Sequence, residues 1–371
     1  MKKKMLGLLM MGAVGLTMLT GCGASNSDTI KIGVAAPFTG DSSVYGDYTK
    51  KGVELAVEEL NAAGGVLGKE IEVVYGDDKG SSTDAVSVAQ KFATDDSIVG
   101  IVGHFFSSCT LAAGEVYQSN GIPEVAMAST APGVLEIGDY VYRVNIGDNY
   151  QGGEMAKLLS EAGYQNAAVI YENTDYGTGV ANAFVTEYEA LGASVAVNES
   201  YTSGSDDYSL LITEIKNSGA DVLVIAGYDA DAAKIMMQSK NQGIEIPVYA
   251  SDGVYTDTLV ELGKEAVEGM NIICYFSTED PSERVQSYLS KLKEKEYEVD
   301  SWSAYCYDAM MLMADAIERA GTTDREAVKA ALADTTDFVG VTGSISFENS
   351  NEPASKDIIV VTVQNGEFVV K

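Results

Sequence analysis

The chain has 371 residues, of which 46% are hydrophobic, with 38 Gly, 6 Pro, 4 Cys and a single His. This length predicts two or three domains with buried cores, and the apolar fraction excludes a disordered chain. The 24 basic and 55 acidic side chains give a net charge of −31, which argues against nucleic-acid binding, and the single His excludes sites that need two imidazoles.

The N-terminus has the pattern of an export signal. Lys2–Lys4 are basic, and residues 5–19 are uncharged over a stretch too short to span a bilayer. The segment ends in Leu19-Thr20-Gly21-Cys22, which resembles the lipobox of bacterial lipoproteins, in which the cysteine is diacylated and becomes the first mature residue. The alternative is an ordinary N-terminal anchor helix with a chance cysteine.

We therefore predict a signal peptide over 1–21, lipidation at Cys22 and a flexible tether over 22–28. Removal of the signal peptide takes away three lysines, so the exported body has a net charge of −34. Anionic lipid would repel that body, so the acyl chains alone must hold it at the membrane.

From residue 30 onwards, apolar runs typical of buried strands alternate with segments of helical spacing. The first predicted block is strand 30–35, helix 48–63, strand 70–75, helix 82–94, strand 98–102, helix 111–118, and strands 123–127 and 140–144. The pattern restarts with helix 155–162, strand 167–171, helix 180–191, strand 195–197, helix 210–217, strand 222–226, helix 232–241, and strands 247–250 and 270–275. Helices 283–293, 304–320 and 325–333 and strands 344–347, 358–363 and 368–370 follow. Two such blocks predict two parallel α/β sheets, with a ligand in the cleft between them.

Three cysteines follow Cys22, namely Cys109, Cys274 and Cys306. Their odd number, their wide spacing and the lack of a CxxC pair argue against a disulfide framework or a zinc site. We predict buried free thiols, and one disulfide among the three stays open.

The sequence argues against catalysis. It contains no G-x-S-x-G with a downstream His and no glycine-rich phosphate or dinucleotide loop. Asp77-Asp78 and Asp206-Asp207 are adjacent acids in polar loops, which we interpret as solvated charges. A hydrolase that uses Ser107 and His104 is disfavoured because the His lies only three residues before the Ser. We predict a non-enzyme with no cofactor and no metal, although a carboxylate-only mechanism stays open.

Loops after the predicted strands carry the candidate binding residues. Ser107-Ser108 can cap the next helix, whose N–H groups attract an anion, and plain capping is the alternative. Residues 126–130 are small or hydroxylic, so a ligand could approach their backbone. Tyr176, Tyr228 and Asp252 end strands of the second block, and turn chemistry alone could explain Asp252. Together these loops suit a small zwitterion with an apolar side chain.

Several motifs occur in order along the chain after the tether. They are Gly33-Val-Ala-Ala-Pro-Phe-Thr-Gly40, Tyr45-Gly46, Gly64-Gly65-Val66-Leu67-Gly68, Gly103-His104 with Ser107-Ser108, Ala128-Ser129-Thr130-Ala131-Pro132, Asp175-Tyr176-Gly177 and Tyr307-Asp308-Ala309. In this order and spacing they resemble the leucine/isoleucine/valine-binding protein family of ABC importers. The resemblance implies a type I periplasmic-binding fold, with two doubly wound parallel-sheet α/β lobes joined by a three-crossover hinge. It assigns 29–147 with 277–350 to lobe 1 and 148–276 with 351–371 to lobe 2.

The resemblance also implies site residues by position. The family's carboxylate contacts fall on Ser107 and the Thr130 amide, and its ammonium contacts on the Ala128 carbonyl, the Thr130 hydroxyl and Asp252. The implied ligand-binding set is Tyr45, Phe106, Ser107, Ala128, Ser129, Thr130, Tyr176, Tyr228, Asp252 and Trp302. Two residues depart from the leucine-type pattern, because Phe106 is bulky where that binder has a small residue and Asp252 is shorter than its Glu.

The function implied by the resemblance is an extracytoplasmic, lipid-anchored, monomeric receptor. It would capture an amino acid, branched-chain or otherwise hydrophobic, and deliver it to an ABC permease and its ATPase. Its contact with the membrane would be through the lipid anchor only. The alternative is a sensing module of the same fold that binds an amide or aromatic acid and signals through a separate chain.

Overall fold

Two open sheets, each covered by helices on both faces, organise the molecule. The computed structural model describes residues 29–347 and 350–371, and the predicted signal peptide, Cys22 and tether lie outside them. Within those ranges, no helix combines the length and the apolar character that crossing a bilayer requires.

The elements follow one another in the alternating order expected from the sequence. The first half contains β1 (Thr29–Ala36), α1 (Ser43–Ala62), β2 (Glu70–Asp77), α2 (Ser82–Ala93), β3 (Ile98–Val102), α3 (Ser107–Ser119), β4 (Glu124–Ala126), β5 (Val141–Arg143), α4 (Asp148–Glu161), β6 (Asn166–Glu172) and α5 (Asp175–Ala190). The second half contains β7 (Ser194–Tyr201), α6 (Ser209–Asn217), β8 (Val222–Ala226), α7 (Asp229–Asn241), β9 (Val248–Ala250), α8 (Asp257–Gly263), β10 (Asn271–Cys274), α9 (Glu283–Glu294), α10 (Trp302–Ala320), α11 (Arg325–Ala333), β11 (Phe338–Gly340), β12 (Gly343–Ile345), β13 (Ile359–Gln364) and β14 (Glu367–Val370).

Lobe 1 is built on a five-stranded, fully parallel sheet in the order β2-β1-β3-β4-β5. Strand β3 is buried along its whole length because helices cover both faces of the sheet. Helix α1 packs on α10, and α2 packs on α3. The close α1–α10 contact needs glycine at Gly52, where a methyl group would collide with the Ser303 carbonyl oxygen.

Lobe 2 is built on a seven-stranded sheet in the order β14-β13-β10-β9-β8-β6-β7. Its strands from β10 to β7 are parallel, whereas β13 and β14 are antiparallel additions at one edge. These observations confirm the predicted α/β architecture with two sheets. They also refine it, because the C-terminal strands form a hairpin on the edge of the second sheet.

The chain passes between the two sheets three times, after β5, after β10 and before β13. Arg143, at the end of β5, is buried and donates from Nε to Glu352 Oε2 at 2.8 Å. Its Nη1 also donates to the Ala131 carbonyl at 2.9 Å. Since Glu352 belongs to the third crossing, this ion pair ties the first crossing to the third.

The third crossing is also fixed by Lys356. Its buried ammonium donates to Thr342 Oγ1 at 2.8 Å and to the Thr342 carbonyl at 3.1 Å. Tyr150, on α4, donates to the Lys356 carbonyl at 3.0 Å. Burial lowers the pKa of Lys356 to about 8, partly opposed by the charge of Asp308. Because Thr342 lies in the turn of the two-stranded β11–β12 hairpin, the lysine links this hairpin to α4.

Four helices begin four or more residues earlier than the hydrophobic spacing predicts. Helix α1 begins at Ser43 rather than 48, α3 at Ser107 rather than 111, α4 at Asp148 rather than 155, and α5 at Asp175 rather than 180. Their first turns are polar or glycine-rich because these residues line the space between the lobes. Hydrophobic periodicity detects the helix positions that face an apolar core. It does not detect a first helical turn whose inward side faces the cleft between the lobes.

Candidate ligand-binding site

The loops that follow β3 and β4 lie side by side at the carboxyl edge of the lobe 1 sheet. Ser107 Oγ accepts hydrogen bonds from the backbone N–H groups of Thr130 at 3.1 Å and Ala131 at 3.2 Å. Ser107 was expected to cap α3, and this expectation is wrong. Phe106 is the N-cap residue, and no side chain caps that helix. Ser107 already lies in the first turn, so its hydroxyl reaches the neighbouring loop instead.

Two hydroxyls of the second loop have different surroundings. Ser129 Oγ is buried within lobe 1, 3.1 Å from the His104 carbonyl and 3.2 Å from the Phe105 carbonyl, so it fixes the loop. Thr130 Oγ1 is buried and has no hydrogen-bond partner. Ala128 lies between the sheet end and these hydroxyls and is half-buried. The Thr130 hydroxyl is therefore the one available for a ligand.

Asp252 follows β9 and brings a carboxylate from lobe 2. Its Oδ1 accepts from the Tyr176 hydroxyl at 2.6 Å, and its Oδ2 lies 3.5 Å from Asn145 Nδ2. The Tyr176 oxygen also accepts from the Gly253 N–H at 2.9 Å and lies 2.8 Å from Ser251 Oγ. Burial raises the pKa of Asp252, and the hydrogen bond from Tyr176 opposes that rise.

Asp252 has no cationic partner in the part of the chain that the structure describes. Among the described residues, none of the ion pairs involves this side chain. A buried carboxylate without a cation is unfavourable unless a partner arrives with a ligand. The arrangement is suited to an ammonium group.

Aromatic rings from both lobes close around this polar region. Tyr45 and Phe106 of lobe 1 have ring centroids 6.0 and 5.1 Å from that of Tyr228, and the Tyr228 ring is tilted by 33° against that of Tyr176 of lobe 2 at 5.2 Å. Tyr45 and Phe106 are themselves 5.1 Å apart. These rings form an apolar wall that would contact a ligand side chain.

Trp302, the first residue of α10, reaches the same wall through Phe105. The two ring centroids are 5.4 Å apart, and Phe105 lies 5.0 Å from Tyr45. The Trp302 indole N–H is buried without a hydrogen-bond partner, and the Tyr45 hydroxyl is buried on the side of the Asp229 carboxylate without a hydrogen bond of regular geometry. Each could therefore meet a polar atom of a ligand or a bound water.

Sequence reasoning missed several polar side chains at this site. Asp148, Gln151 and Tyr275 are buried here, with Gln151 beside Asp252 and Tyr275, and their side-chain polar atoms form no hydrogen bond of regular geometry. Asp148 N donates to the Thr130 carbonyl at 2.9 Å, which places this acid beside the binding loop. Burial raises the pKa of Asp148, and the neighbouring Thr130 hydroxyl, followed by the charge of Arg143, opposes the rise. Asp148 follows β5 as Thr130 follows β4, and this shared position after a strand could have identified it.

The single histidine has a structural role. His104 is fully buried, with Nδ1 2.6 Å from Asp78 Oδ2 and Nε2 3.1 Å from the Tyr117 hydroxyl. The interpretation of Asp78 as a solvated loop charge is therefore wrong, because this carboxylate is buried against the imidazole. Asp206, by contrast, is fully exposed as expected.

The three described cysteines are free and buried, as the sequence predicts. Burial raises the pKa of each thiol, so Cys109, Cys274 and Cys306 are protonated and pack as small apolar side chains. None of them lines the cleft as a nucleophile.

Comparison with known proteins decides the family. The family model described as "Periplasmic binding protein" matches residues 29–367. The chain belongs to the periplasmic binding protein family. Members of this family are substrate-binding proteins, and the two-sheet architecture described above is its type I fold.

Relatives with named ligands match over nearly the whole chain. The leucine-, isoleucine-, valine-, threonine-, and alanine-binding protein of Pseudomonas aeruginosa is 31% identical over 339 residues, which cover 90% of each chain. The leucine-binding protein LivK of Thermotoga maritima has a TM-score of 0.86 and 30% identity, and the match covers 92% of this chain and 97% of that one. LivJ of Streptococcus pneumoniae, solved with isoleucine, has a TM-score of 0.85 and 30% identity, covering 92% and 100%.

Proposed function

We propose that this periplasmic binding protein captures an amino acid with a branched-chain or other hydrophobic side chain in the cleft between its lobes. The observation that carries the proposal is the Asp252 carboxylate, which is buried without a cation on the lobe 2 side of the cleft. Opposite it, lobe 1 offers a serine hydroxyl, backbone amides and an unpartnered threonine hydroxyl. The names of the relatives support the same ligand class.

The proposed pose follows from the charges. The ligand carboxylate would bind the Ser107 hydroxyl and the Thr130 N–H, which currently donates to Ser107 Oγ. The ammonium would bind the Ala128 carbonyl, the Thr130 hydroxyl and Asp252. It would favour the ionised form of Asp252, which burial by itself disfavours.

The ligand side chain would lie against the aromatic wall. Tyr45, Phe106, Tyr176 and Tyr228 are within 5.1–6.0 Å of a neighbouring ring across or along the cleft. Such rings bury aliphatic groups well, and Phe106 leaves less space than a small residue would. This geometry favours an aliphatic side chain over a large aromatic one.

Closure around the ligand would use the three crossings as a hinge. We assign 29–147 with 277–350 to lobe 1 and 148–276 with 351–371 to lobe 2. The Arg143–Glu352 pair joins the first and third crossings. The lobes would therefore rotate about these linked hinge segments and would not move independently. The closed form buries Asp252 and the ammonium together.

We further propose that the protein works outside the cytoplasm as a monomer, held by lipid on Cys22, and delivers its ligand to an ABC permease and its ATPase. The exported part of the chain carries a large excess of acidic residues, which anionic lipid would repel. This charge supports attachment to the membrane through acyl chains rather than through electrostatic attraction. We expect Cys22→Ser to move the protein from the membrane fraction to the soluble fraction, measured by fractionation and immunoblotting. Unchanged membrane association of the Cys22→Ser variant would contradict lipidation at this residue.

The direct test is calorimetry with the twenty amino acids on the wild type and on Ser107→Ala. We expect leucine, isoleucine or valine to bind, and the variant to bind about tenfold more weakly because one hydrogen bond to a charged group is lost. Ser108→Ala is the matched control, since Ser107 but not Ser108 contacts the Thr130 loop. Binding of none of the amino acids to the wild type would refute the proposed function.

A further inference from the structure

Lobe 1 contains a second cavity of about 380 Å³ that shares no lining residue with the cleft set. It lies between α9, α10 and the β11 strand, with α1 at one side. Its apolar lining consists of Tyr288, Tyr307, Met311, Phe338, Val339 and Val341. This volume lies within the range of small-molecule sites.

Two of the acids that line this cavity, Glu59 and Asp308, already have partners within the protein. Lys291 forms an ion pair with Glu59, and the Tyr307 hydroxyl donates to the same carboxylate at 2.5 Å. Asp308 accepts hydrogen bonds from the N–H groups of Val341 at 2.6 Å and Thr342 at 2.7 Å. Glu283 is exposed at the rim, in the first turn of α9, whose N-terminus favours an acid.

Arg284 differs from these residues. Its Nη1 atom is buried and has no hydrogen-bond partner, and no carboxylate in the described part of the chain forms an ion pair with it. The chain has 55 acidic side chains, so acids that could pair with Arg284 are abundant in the sequence. A buried guanidinium nitrogen without an acceptor is costly unless an acceptor is supplied from outside.

We propose that this cavity is a second binding site, for a small carboxylate with a flat apolar body. The guanidinium of Arg284 would take the carboxylate through its paired donors, and the rings of Tyr288, Tyr307 and Phe338 would bury the body. The site is independent of amino-acid binding in the cleft, because it shares none of the residues assigned there.

The test uses benzoate as the probe, titrated by calorimetry into the whole exported body. We expect wild type to bind benzoate, Arg284→Gln to bind it about tenfold or more weakly, and Arg284→Lys to lie between them. Arg319→Gln is the matched control, because Arg319 lies on α10 and already pairs with Asp315 at 2.7 Å. Benzamide, which keeps the ring without the charge, should bind more weakly than benzoate to wild type.

Ser107→Ala separates this site from the cleft. Benzoate affinity that is unchanged in Ser107→Ala and reduced in Arg284→Gln supports the second site, provided that Arg284→Gln melts as wild type does. If Arg284→Gln melts at a lower temperature than wild type, its weaker binding could reflect unfolding. Crystals of the wild type with 4-iodobenzoate would then locate the ligand by its iodine. Iodine beside Tyr307 would support the site, and iodine in the cleft would overturn it. Absence of benzoate binding, or binding that is lost in Ser107→Ala and kept in Arg284→Gln, would overturn it.

Discussion

Replacing Asp252 with alanine should raise the Kd for the bound amino acid by roughly 10²- to 10³-fold, or about 3 to 4 kcal/mol. Asp252 is the carboxylate proposed to neutralise the ligand ammonium. Without it, the closed cleft would bury a positive charge whose remaining partners are neutral oxygens. Isothermal titration calorimetry with leucine, isoleucine and valine measures the loss.

The ligand-free Asp252→Ala protein should be as stable as wild type. Burial already disfavours the ionised carboxylate in the wild type. In the variant, the Tyr176 hydroxyl would still contact Ser251 Oγ and the Gly253 N–H. Asp206→Ala, at a fully exposed acid, is the matched control and should bind as wild type does. Unchanged affinity in Asp252→Ala would show that another group, such as Asp148, receives the ammonium.

Replacing Asp308 with alanine should destabilise lobe 1 by about 3 to 5 kcal/mol. This carboxylate is fully buried and accepts from two backbone N–H groups of the turn between β11 and β12, and from Thr342 Oγ1 at 2.7 Å. Alanine would leave those donors buried and without acceptors. It would also remove a negative charge that favours the protonated ammonium of Lys356.

Urea unfolding followed by circular dichroism would measure the effect of Asp308→Ala. The control is Asp315→Ala on the same helix, whose partly exposed ion pair with Arg319 contributes no more than about 1 kcal/mol. A midpoint for Asp308→Ala equal to that of the control would mean that the β11–β12 turn finds other acceptors.

The site described here depends on loops from both lobes. Lobe 1 supplies the hydroxyls and amides that suit an anion, and lobe 2 supplies the carboxylate that suits a cation. A ligand that carries both charges would thus bridge the lobes, and its apolar side chain would complete the contact between Tyr45, Phe106 and Tyr228. If the proposed pose holds, we expect binding and closure to occur together, because neither lobe alone would satisfy the ligand.

Several features could be read from the sequence because they depend on local patterns. Alternating strands and helices predict two sheets, and the structure confirms them. The spacing of Cys109, Cys274 and Cys306 predicts free buried thiols, which are present. The positions of Ser107, Thr130 and Asp252 after strands place them at the cleft, since parallel strands present their carboxyl ends at one edge.

Other features needed the tertiary structure. The orientation of Ser107 toward the Thr130 loop, rather than along its own helix, depends on how two loops meet. The burial of Asp78 depends on its contact with His104, which lies 26 residues away in sequence.

The sequence by itself determined the net charge, the alternation of strands and helices and the residues at the strand ends. It did so because charge and hydrophobic periodicity are properties of neighbouring residues. The tertiary structure decided which of many acids are buried and which of those lie between the lobes, as Asp252 does, and it also showed the unpartnered Nη1 of Arg284. Burial and hydrogen-bond satisfaction depend on residues distant in sequence, and no count of the 55 acids contains that information.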